Sequence, residues 1–403
     1  MSTLLSSLPF AIDDRMFRRS TRADALERQV YEMIDGLRMA VIYAGNKQQP
    51  GAVINATGNT RSWKSYEAVA EDIAAALRRI GVGHVSVLPE DMNLGTRLRE
   101  ENIEFAWLNS GGVQGHSSAA HGPAMLEMLG IPYVGHSPLA AATLDDKHAF
   151  KRQMTAIGVP TAPFMAWHAA QGPLDLSRST QFRRVFADWN GSFVVKPVNG
   201  RASLNVHHVE YADDLPAFVQ AISEATNNQV LIEGYLGGRE FCAAVCGPVT
   251  AVGGRLRRQA DPFVFACIER VLETNERIFT SMDVKPITAE RIKHLDRVGD
   301  ARIVGELERI AHALYTEMEL ETLVRLDLRA DDEGRLFVLE ANPKPDLKAR
   351  QGRTTSIIGE SLDEFGMSYD DLILSLLADR IDTLFRRRRG SLAHVLPRAD
   401  APL

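Results

Sequence analysis

Cysteine is scarce in this chain of 403 residues, which contains only Cys242, Cys246 and Cys267. None of the three belongs to a CxxC pair, and none has the histidine spacing of a zinc site. A disulfide-rich secreted domain and a zinc-finger module are therefore disfavoured, and so few thiols fit a reducing cytosol.

Long hydrophobic runs and an excess of positive charge are absent as well. No apolar segment approaches the length of a membrane span, and residues 1–20 lack an apolar core with a cleavage site. The net charge of -6 creates no basic field for a nucleic-acid partner. The one basic run, Arg386 to Arg389, suits a solvated helix end. We therefore expect a cytoplasmic protein that binds neither membranes nor nucleic acid.

Hydrophobic residues make up 45% of the chain, which is enough to bury a large core, and the length indicates two or three domains. Residues 1–37 are polar and helix-prone, without a clear structural assignment. Strands alternate with helices over about 38–137, which predicts a doubly wound α/β domain. From residue 229 onward the pattern is mostly β, which predicts an α+β C-terminal part.

Residues 323–342 are the most informative stretch. Two alternating apolar and polar runs flank an Asp-Asp-Glu-Gly turn, which predicts a β-hairpin. With the turn centred on its middle residues, Arg325 is expected opposite Glu340, and Asp327 opposite Val338. A shift of one residue in this register would send the polar side chains to both faces.

One face of the hairpin is expected to carry Arg325, Asp327, Glu340 and Asn342, and the other Leu326, Leu328, Phe337 and Leu339. Two carboxylates and an amide beside an arginine make a poor core, but they suit Mg²⁺, which prefers oxygen ligands shared with phosphates and water. The alternative is a solvated face with an ordinary arginine–glutamate pair.

Two lysines are candidate phosphate ligands. Lys196 ends an apolar strand, and the polar loop 199–205, which contains Ser203, follows it. Such a loop can hold phosphates with its backbone N–H groups. Lys147 lies at the start of a helix within the helical pattern 144–157, where a cation is better explained by an anionic ligand. A surface position explains either lysine alone, and the absence of a Walker sequence excludes a P-loop.

Two strands separated by glycines are predicted at 230–241. The end of the first strand suits the adenine of a nucleotide, and Glu240 would then lie within reach of the ribose hydroxyls. A plain hairpin is the alternative. The ordered motifs are Asp146-Lys147, Val-Val-Lys196, Leu-Ile-Glu233, Gly-Arg-Glu240, Arg325-x-Asp327 and Leu339-Glu-Ala-Asn-Pro343. Together they resemble the ATP-grasp superfamily, and within it the D-alanine–D-alanine ligase branch, over about 38–348.

The resemblance implies an ATP-grasp fold of three domains, the first of which is Rossmann-like. After the extension at 1–37 these are an N-terminal domain at 38–137, a central domain at 138–227 and a C-terminal domain with the Mg²⁺ site at 228–385. A basic tail at 386–403 follows. ATP is expected between the central and C-terminal domains, and a homodimer is the assembly that the resemblance implies.

The resemblance also implies roles for side chains. The expected ATP contacts are Lys147, Lys196, Ser203, Glu233, Tyr235, Leu236 and Glu240. The expected ligands of one or two Mg²⁺ ions, which Mn²⁺ can replace, are Asp327, Glu340 and Asn342. The expected catalytic residues are Lys196, Asn342 and Arg325, the last of which stabilises a tetrahedral oxyanion. The implied reaction joins a small carboxylate to an amine through an acyl-phosphate, since phosphoryl transfer depends on charge neutralisation and positioning.

The sequence departs from this branch where substrates are expected. The branch has a glutamate that binds the amino group of the first alanine, whereas this chain has Thr60-Arg61. A cation there repels an ammonium and attracts a carboxylate. The candidate substrate residues are Arg61, Ser65, Tyr66, Asn109, Arg201, Lys344 and Lys348. We therefore predict a substrate more acidic than D-alanine.

Three functions stay open at this stage. The leading interpretation is an ADP-forming ligase that makes an amide or dipeptide. A carboxylate–thiol ligase or an acyl-phosphate kinase of the same superfamily differs from it mainly in the acceptor pocket, which the sequence hardly reveals. A non-catalytic ATP sensor is the third interpretation, although a sensor has no need for the oxyanion arginine, Arg325.

Overall fold

The computed structural model describes residues 14–46, 48–49, 51–53, 65–200, 203–273, 276–278, 291–350, 356–387 and 390, with only the backbone of 14–24. Within these ranges no helix combines the length and the apolar character needed to cross a membrane.

The described chain begins with helix α1 (Asp14–Asp35), which belongs to the extension that the sequence left unassigned. Leu26 and Val30 are buried in the same core cluster as residues of the N-terminal sheet. The Tyr31 hydroxyl donates a hydrogen bond of 2.7 Å to the carbonyl of Gly254, 223 residues away. This helix is therefore part of the folded core.

The N-terminal part is a parallel sheet with helices on both faces. Its strands, in the spatial order β2-β1-β3-β4, are β1 (Arg38–Tyr43), β2 (His84–Pro89), β3 (Phe105–Asn109) and β4 (Tyr133–Val134). Its helices are α2 (Glu67–Arg79), α3 (Leu94–Glu100) and α4 (His121–Leu129). In β1, Met39 and Val41 pack with α2, whereas Ala40 and Ile42 pack with α3 and α4. A strand buried on both faces requires a continuous apolar run, and the predicted doubly wound α/β arrangement is confirmed.

The central part is an antiparallel sheet in the order β5-β8-β6-β7. Its strands are β5 (Phe164–Trp167), β6 (Phe193–Pro197), β7 (His207–Val209) and β8 (Val230–Gly234), and its helices are α5 (Pro138–Asp145), α6 (Lys147–Ala156), α7 (Thr180–Val185) and α8 (Leu215–Thr226). The helix expected over 144–157 is thus divided. Asp146 has an extended backbone, and its side chain caps α6 by accepting a hydrogen bond from the N–H of Ala149 at 2.8 Å.

The C-terminal part is a second antiparallel sheet, in the order β13-β12-β9-β14-β15. Its strands are β9 (Glu240–Cys246), β12 (Phe263–Arg270), β13 (Ile292–His294), β14 (Val324–Ala330) and β15 (Leu336–Asn342), and a separate hairpin consists of β10 (Val249–Val252) and β11 (Arg255–Arg258). The helices are α9 (Ala301–Glu317), α10 (Ile357–Glu360) and α11 (Tyr369–Arg387). In β9, Phe241 and Val245 pack with α9, and Cys242 and Cys246 face the core that contains α11.

The hairpin of β14 and β15 forms, but its predicted register is wrong. Arg325 lies opposite Asn342, and Asp327 lies opposite Glu340. Next to the turn, each residue of β14 lies opposite a β15 residue one position later than predicted. A bulge after Asp327 leaves Leu339 without a residue opposite it and shifts the register by one further position. Because the two shifts add up to an even number, the four polar side chains still share one face.

The predicted apolar face of this hairpin is wrong in part, because the register is shifted by one residue at Phe337 and the bulge displaces Leu339. Leu326 and Leu328 are buried in the core as expected. Phe337 and Leu339 do not join that core cluster, which instead contains Leu336, Val338 and Ala341 from β15.

Arg380 in α11 connects the N-terminal sheet with the C-terminal part. It is 1% exposed, and its Nε donates a hydrogen bond of 2.7 Å to the carbonyl of Tyr133 in β4. Its Nη1 lies 3.1 Å from a carboxylate oxygen of Glu321. A buried ion pair of this kind is costly to break, because the remaining buried charge loses its partner.

Arg380→Ala is expected to lower the free energy of unfolding by about 3–5 kcal/mol, since Glu321 stays buried. Arg79→Ala is the matched control, because Arg79, at the end of α2, is 55% exposed and pairs with Asp370 of α11, the helix that also carries Arg380. The control should cost less than about 1 kcal/mol. Urea unfolding of both variants measures the difference, and equal losses would contradict this assignment.

Candidate active site

A cavity of about 280 Å³ is lined by residues of the central and C-terminal sheets together with loops of the N-terminal part. The candidate residues that line it are Tyr66, Lys147, Lys196, Ser203, Glu233, Tyr235, Leu236, Glu240, Arg325, Asp327, Glu340, Asn342 and Lys344. Residues more than 250 positions apart in the sequence thus meet at one site.

Some candidate substrate residues are placed differently. Those that lie away from the cavity lining are Ser65, Asn109 and Lys348. Asn109 supports the cavity from behind, because its Nδ2 donates a hydrogen bond of 3.2 Å to the carbonyl of Tyr66. Arg61 and Arg201 lie outside the described residues.

Asp327 is the centre of charge at the C-terminal side of the cavity. Arg325 contacts both of its oxygens, with Nε at 2.8 Å and Nη2 at 3.0 Å. Arg270 contacts the same two oxygens at 3.2 and 3.3 Å, and Asn342 Nδ2 lies at 3.3 Å. Burial alone would raise the pKa of Asp327, but Arg270 and Arg325 outweigh it and hold that pKa well below its usual range. Asp327 is therefore ionised.

Glu340 faces Asp327 across the hairpin. Its side chain is 30% exposed, and Lys147 Nζ lies 3.4 Å from it. Among the described residues no group of three or more His, Cys, Asp or Glu side chains is arranged to hold a metal ion. Two carboxylates and the amide of Asn342 beside the same cavity do fit Mg²⁺, which commonly takes one or two carboxylates and completes its shell with phosphates and water.

Two lysines share one carboxylate at the central side of the cavity. Lys196 Nζ lies 2.5 Å from Oε1 of Glu233, and Lys151 Nζ lies 2.8 Å from Oε2. Burial would raise the pKa of Glu233, but the two lysines outweigh it and hold the pKa at about 2. Lys147, one turn before Lys151 in α6, donates a hydrogen bond of 3.0 Å to the carbonyl of Gly200.

Tyr235 and Leu236 follow β8 at the remaining side of the cavity. Arg329 packs its guanidinium 4.7 Å from the centre of the Tyr235 ring and donates a hydrogen bond of 3.0 Å to the Tyr235 hydroxyl. Glu240 accepts a hydrogen bond of 3.1 Å from Arg270. Leu339 also lines this cavity, so the bulged residue of β15 joins Leu236 in an apolar wall. A flat, weakly polar ring would suit this wall.

The sequence interpretation missed Arg270, Lys151 and Leu339. Arg270 carried a signal, because it is a charged residue at the end of the apolar run that forms β12. Lys151 carried a weaker one, as a lysine next to the buried Phe150 in a helix. Leu339 carried none, since only the bulge turns it into the cavity.

The parallel N-terminal sheet, the two antiparallel sheets and the cavity between them are the architecture of an ATP-grasp enzyme. A family model described as "D-ala D-ala ligase C-terminus" matches residues 153–378, which is more than half of the chain. The chain belongs to this family, and it is an ADP-forming ligase of the ATP-grasp class.

Individual relatives agree with this placement. The D-alanine–D-alanine ligase of Pseudomonas entomophila is 27% identical over 86% of this chain and 94% of its own. An uncharacterized protein of Sinorhizobium fredii, y4sG, is 28% identical over 80% of this chain and 89% of its own. The crystal structure of the Bacillus anthracis D-alanine–D-alanine ligase with ATP has a TM-score of 0.60 at 20% identity, and the match covers 88% of this chain and 99% of that one.

Glu340→Gln tests the metal assignment without disturbing the fold. Its pair with Lys147 is partly exposed, so the free energy of unfolding without ligand should change by less than about 1 kcal/mol. A ligand at 100 times its dissociation constant stabilises a protein by about 2.7 kcal/mol, and the variant should lose most of the Mg²⁺-dependent part of that stabilisation by ATP. Thermal unfolding with ATP, with and without Mg²⁺, measures this loss.

The matched control is Glu333→Gln, in the turn of the same hairpin, where the side chain is 69% exposed and pairs with Arg335. This variant should respond to Mg²⁺ and ATP like the unmodified protein. An undiminished Mg²⁺ response in Glu340→Gln would remove Glu340 from the set of metal ligands.

Proposed function

We propose that this protein is an ATP-dependent carboxylate–amine ligase that forms an amide or dipeptide through an acyl-phosphate, with an acyl substrate other than D-alanine. The observation that carries the proposal is the grouping of Lys147, Lys196, Arg325, Asp327 and Glu340 around one cavity. These are the charges that phosphoryl transfer to a carboxylate requires.

ATP is proposed to lie between the central and C-terminal sheets. Its adenine would contact Leu236 and Leu339, and its ribose would contact Glu240. The phosphates would extend toward Lys147 and Lys196, with the backbone near Ser203 as a further donor. The nucleotide would thus extend from the apolar wall, which suits the base, to Lys147 and Lys196, which suit the charged phosphates.

Asp327, Glu340 and Asn342 are proposed to hold one or two Mg²⁺ ions. The metal would neutralise charge on the transferred phosphoryl group. Both oxygens of Asp327 bind Arg325 and fix the orientation of its guanidinium. Arg325 is proposed to stabilise the oxyanion that forms when the amine attacks. Arg270 would add a second cation on the same side.

The acyl substrate is proposed to bind at the N-terminal side of the cavity, which Tyr66, Val113 and Lys344 line. Lys344 Nζ lies 3.3 Å from the centre of the Tyr66 ring. Tyr66 has a left-handed backbone with φ of 57°, a strained conformation of the kind that clusters at functional sites. An ammonium at this position favours a substrate with an additional negative charge.

The remaining expectations belong to the same proposal. These are the division into domains at about 38–137, 138–227 and 228–385, the basic tail at 386–403, a cytoplasmic location and a homodimer. An acceptor amine is preferred over a thiol because the matching family model and relatives are named D-alanine–D-alanine ligases, which join two amino acids.

ADP release tests the proposed reaction. Purified protein with Mg-ATP is given pools of amino acids that separate D-alanine, acidic amino acids and neutral amino acids, and each active pool is then supplied with an amine or a thiol acceptor. We expect ADP formation to depend on an acidic donor and an amine, with an amide detected by mass spectrometry. Equal or faster formation of D-alanyl-D-alanine would refute the substrate proposal. A thioester product would show that the acceptor is a thiol and not an amine.

A charge deletion in the cavity tests the role of Lys344. Lys344→Met should raise the KM for the acidic donor by about 10- to 150-fold, which corresponds to one charge-assisted contact of about 1.5–3 kcal/mol. Lys348→Met is the matched control, because Lys348 lies four residues further along and away from the cavity lining. Steady-state kinetics at saturating ATP measure both, and equal effects would exclude a direct contact with Lys344.

A further inference from the structure

Lys151 is a lysine without contact to the cavity, although it lies one turn after Lys147 in α6. Its side chain is 0% exposed, and it does not belong to the cavity lining. Its Nζ lies 2.8 Å from Oε2 of Glu233 and 2.6 Å from Oγ1 of Thr161. A fully buried ammonium is unfavourable, so this position requires a reason other than ligand contact.

The reason lies in the division of Glu233 between two cations. Oε1 of Glu233 contacts Lys196, and Oε2 contacts Lys151. With both lysines protonated, the three side chains carry one net positive charge. Without Lys151, Glu233 would neutralise Lys196 and leave no net charge for an anionic ligand.

We propose that Lys151 is a positioning residue that binds one of the two oxygens of Glu233. Lys196 then stays directed toward the phosphates of ATP, and the three side chains together keep one net positive charge for them. This inference rests on the nucleotide site of the proposed function. Lys151 acts here through Glu233 and touches no substrate.

The titration behaviour of the two lysines agrees with this division. Burial lowers the pKa of Lys196, but Glu233 and Glu340 outweigh it, and the net pKa is raised. Burial lowers the pKa of Lys151 and is only partly offset by Glu233. Lys196 therefore retains its proton more firmly than Lys151 does, as a phosphate ligand should.

A second contact extends the effect of Lys151 to the C-terminal sheet. Thr161 accepts a hydrogen bond from Lys151 and donates one of 3.0 Å to the carbonyl of Val338. The N–H of Val338 donates a hydrogen bond of 2.9 Å to the carbonyl of Pro160. Val338 precedes the bulge by one residue and Glu340 by two. Lys151 thus connects the sheet that carries Lys196 with the strand that carries Glu340.

Calorimetric binding of Mg-ATP and of adenosine tests the proposal in the full-length protein. Lys151→Met should weaken Mg-ATP binding by about tenfold or more, a loss of at least about 1.4 kcal/mol. Adenosine binding should stay within about threefold, because adenosine carries no phosphate. A purely structural role would weaken both ligands together or neither, and either result would overturn the inference.

The double variant Lys151→Met with Glu233→Gln supplies the decisive comparison. Removing the carboxylate charge restores the net charge at Lys196, so Mg-ATP affinity should recover most of the loss seen in Lys151→Met. Additive or greater loss in the double variant would overturn the inference. Adenosine binding reports separately on any contact between Glu233 and the base.

Separate measurements test whether each variant folds and whether the proposed nucleotide site exists. Circular dichroism and thermal unfolding establish that each variant is folded. Lys151→Gln, which keeps a donor toward Glu233 and Thr161 but no charge, replaces Lys151→Met in the same comparison if the latter does not fold. Unmodified protein that binds Mg-ATP no more tightly than adenosine would refute the proposed nucleotide site itself, whereas an intact preference in Lys151→Met would refute only the role of Lys151.

Discussion

Buried charges between two sheets must be paired, because an ionised side chain without a partner is far more costly in a protein interior than in water. Two carboxylates that line this cavity are each shared by two cations. Asp327 is held by Arg270 and Arg325, and Glu233 by Lys151 and Lys196. Each pair therefore fixes the relative position of two strands, or of a helix and a strand.

The same pairing explains why the site is built on strands. Three neighbouring strands, β9, β14 and β15, carry Glu240, Asp327 and Glu340, and the ladder hydrogen bonds hold these carboxylates at fixed spacings. The bulge next to Asp327 shifts the register locally and brings Leu339 into the cavity. A polar site and an apolar wall thus come from one strand that would otherwise separate them on opposite faces.

The sequence was sufficient for whatever depended on local pattern. The alternation of strands and helices over 38–137 predicted a doubly wound α/β domain, and the alternation in 323–342 predicted a hairpin with four polar side chains on one face. The bulge at Leu339 was not predictable, since it depends on pairing with β14. Lys151 and Arg270 were missed for a related reason: their partners, Glu233 and Asp327, lie 82 and 57 residues away in the chain.

The contact between Tyr31 and Gly254 has a consequence for the nascent chain. The two residues are 223 positions apart, so this contact of α1 cannot form until the β10–β11 hairpin has been synthesised. At about 5–20 residues per second this takes roughly 10–45 s. During that time the part of α1 that contacts β11 lacks its partner strand, so α1 completes its packing only late in synthesis.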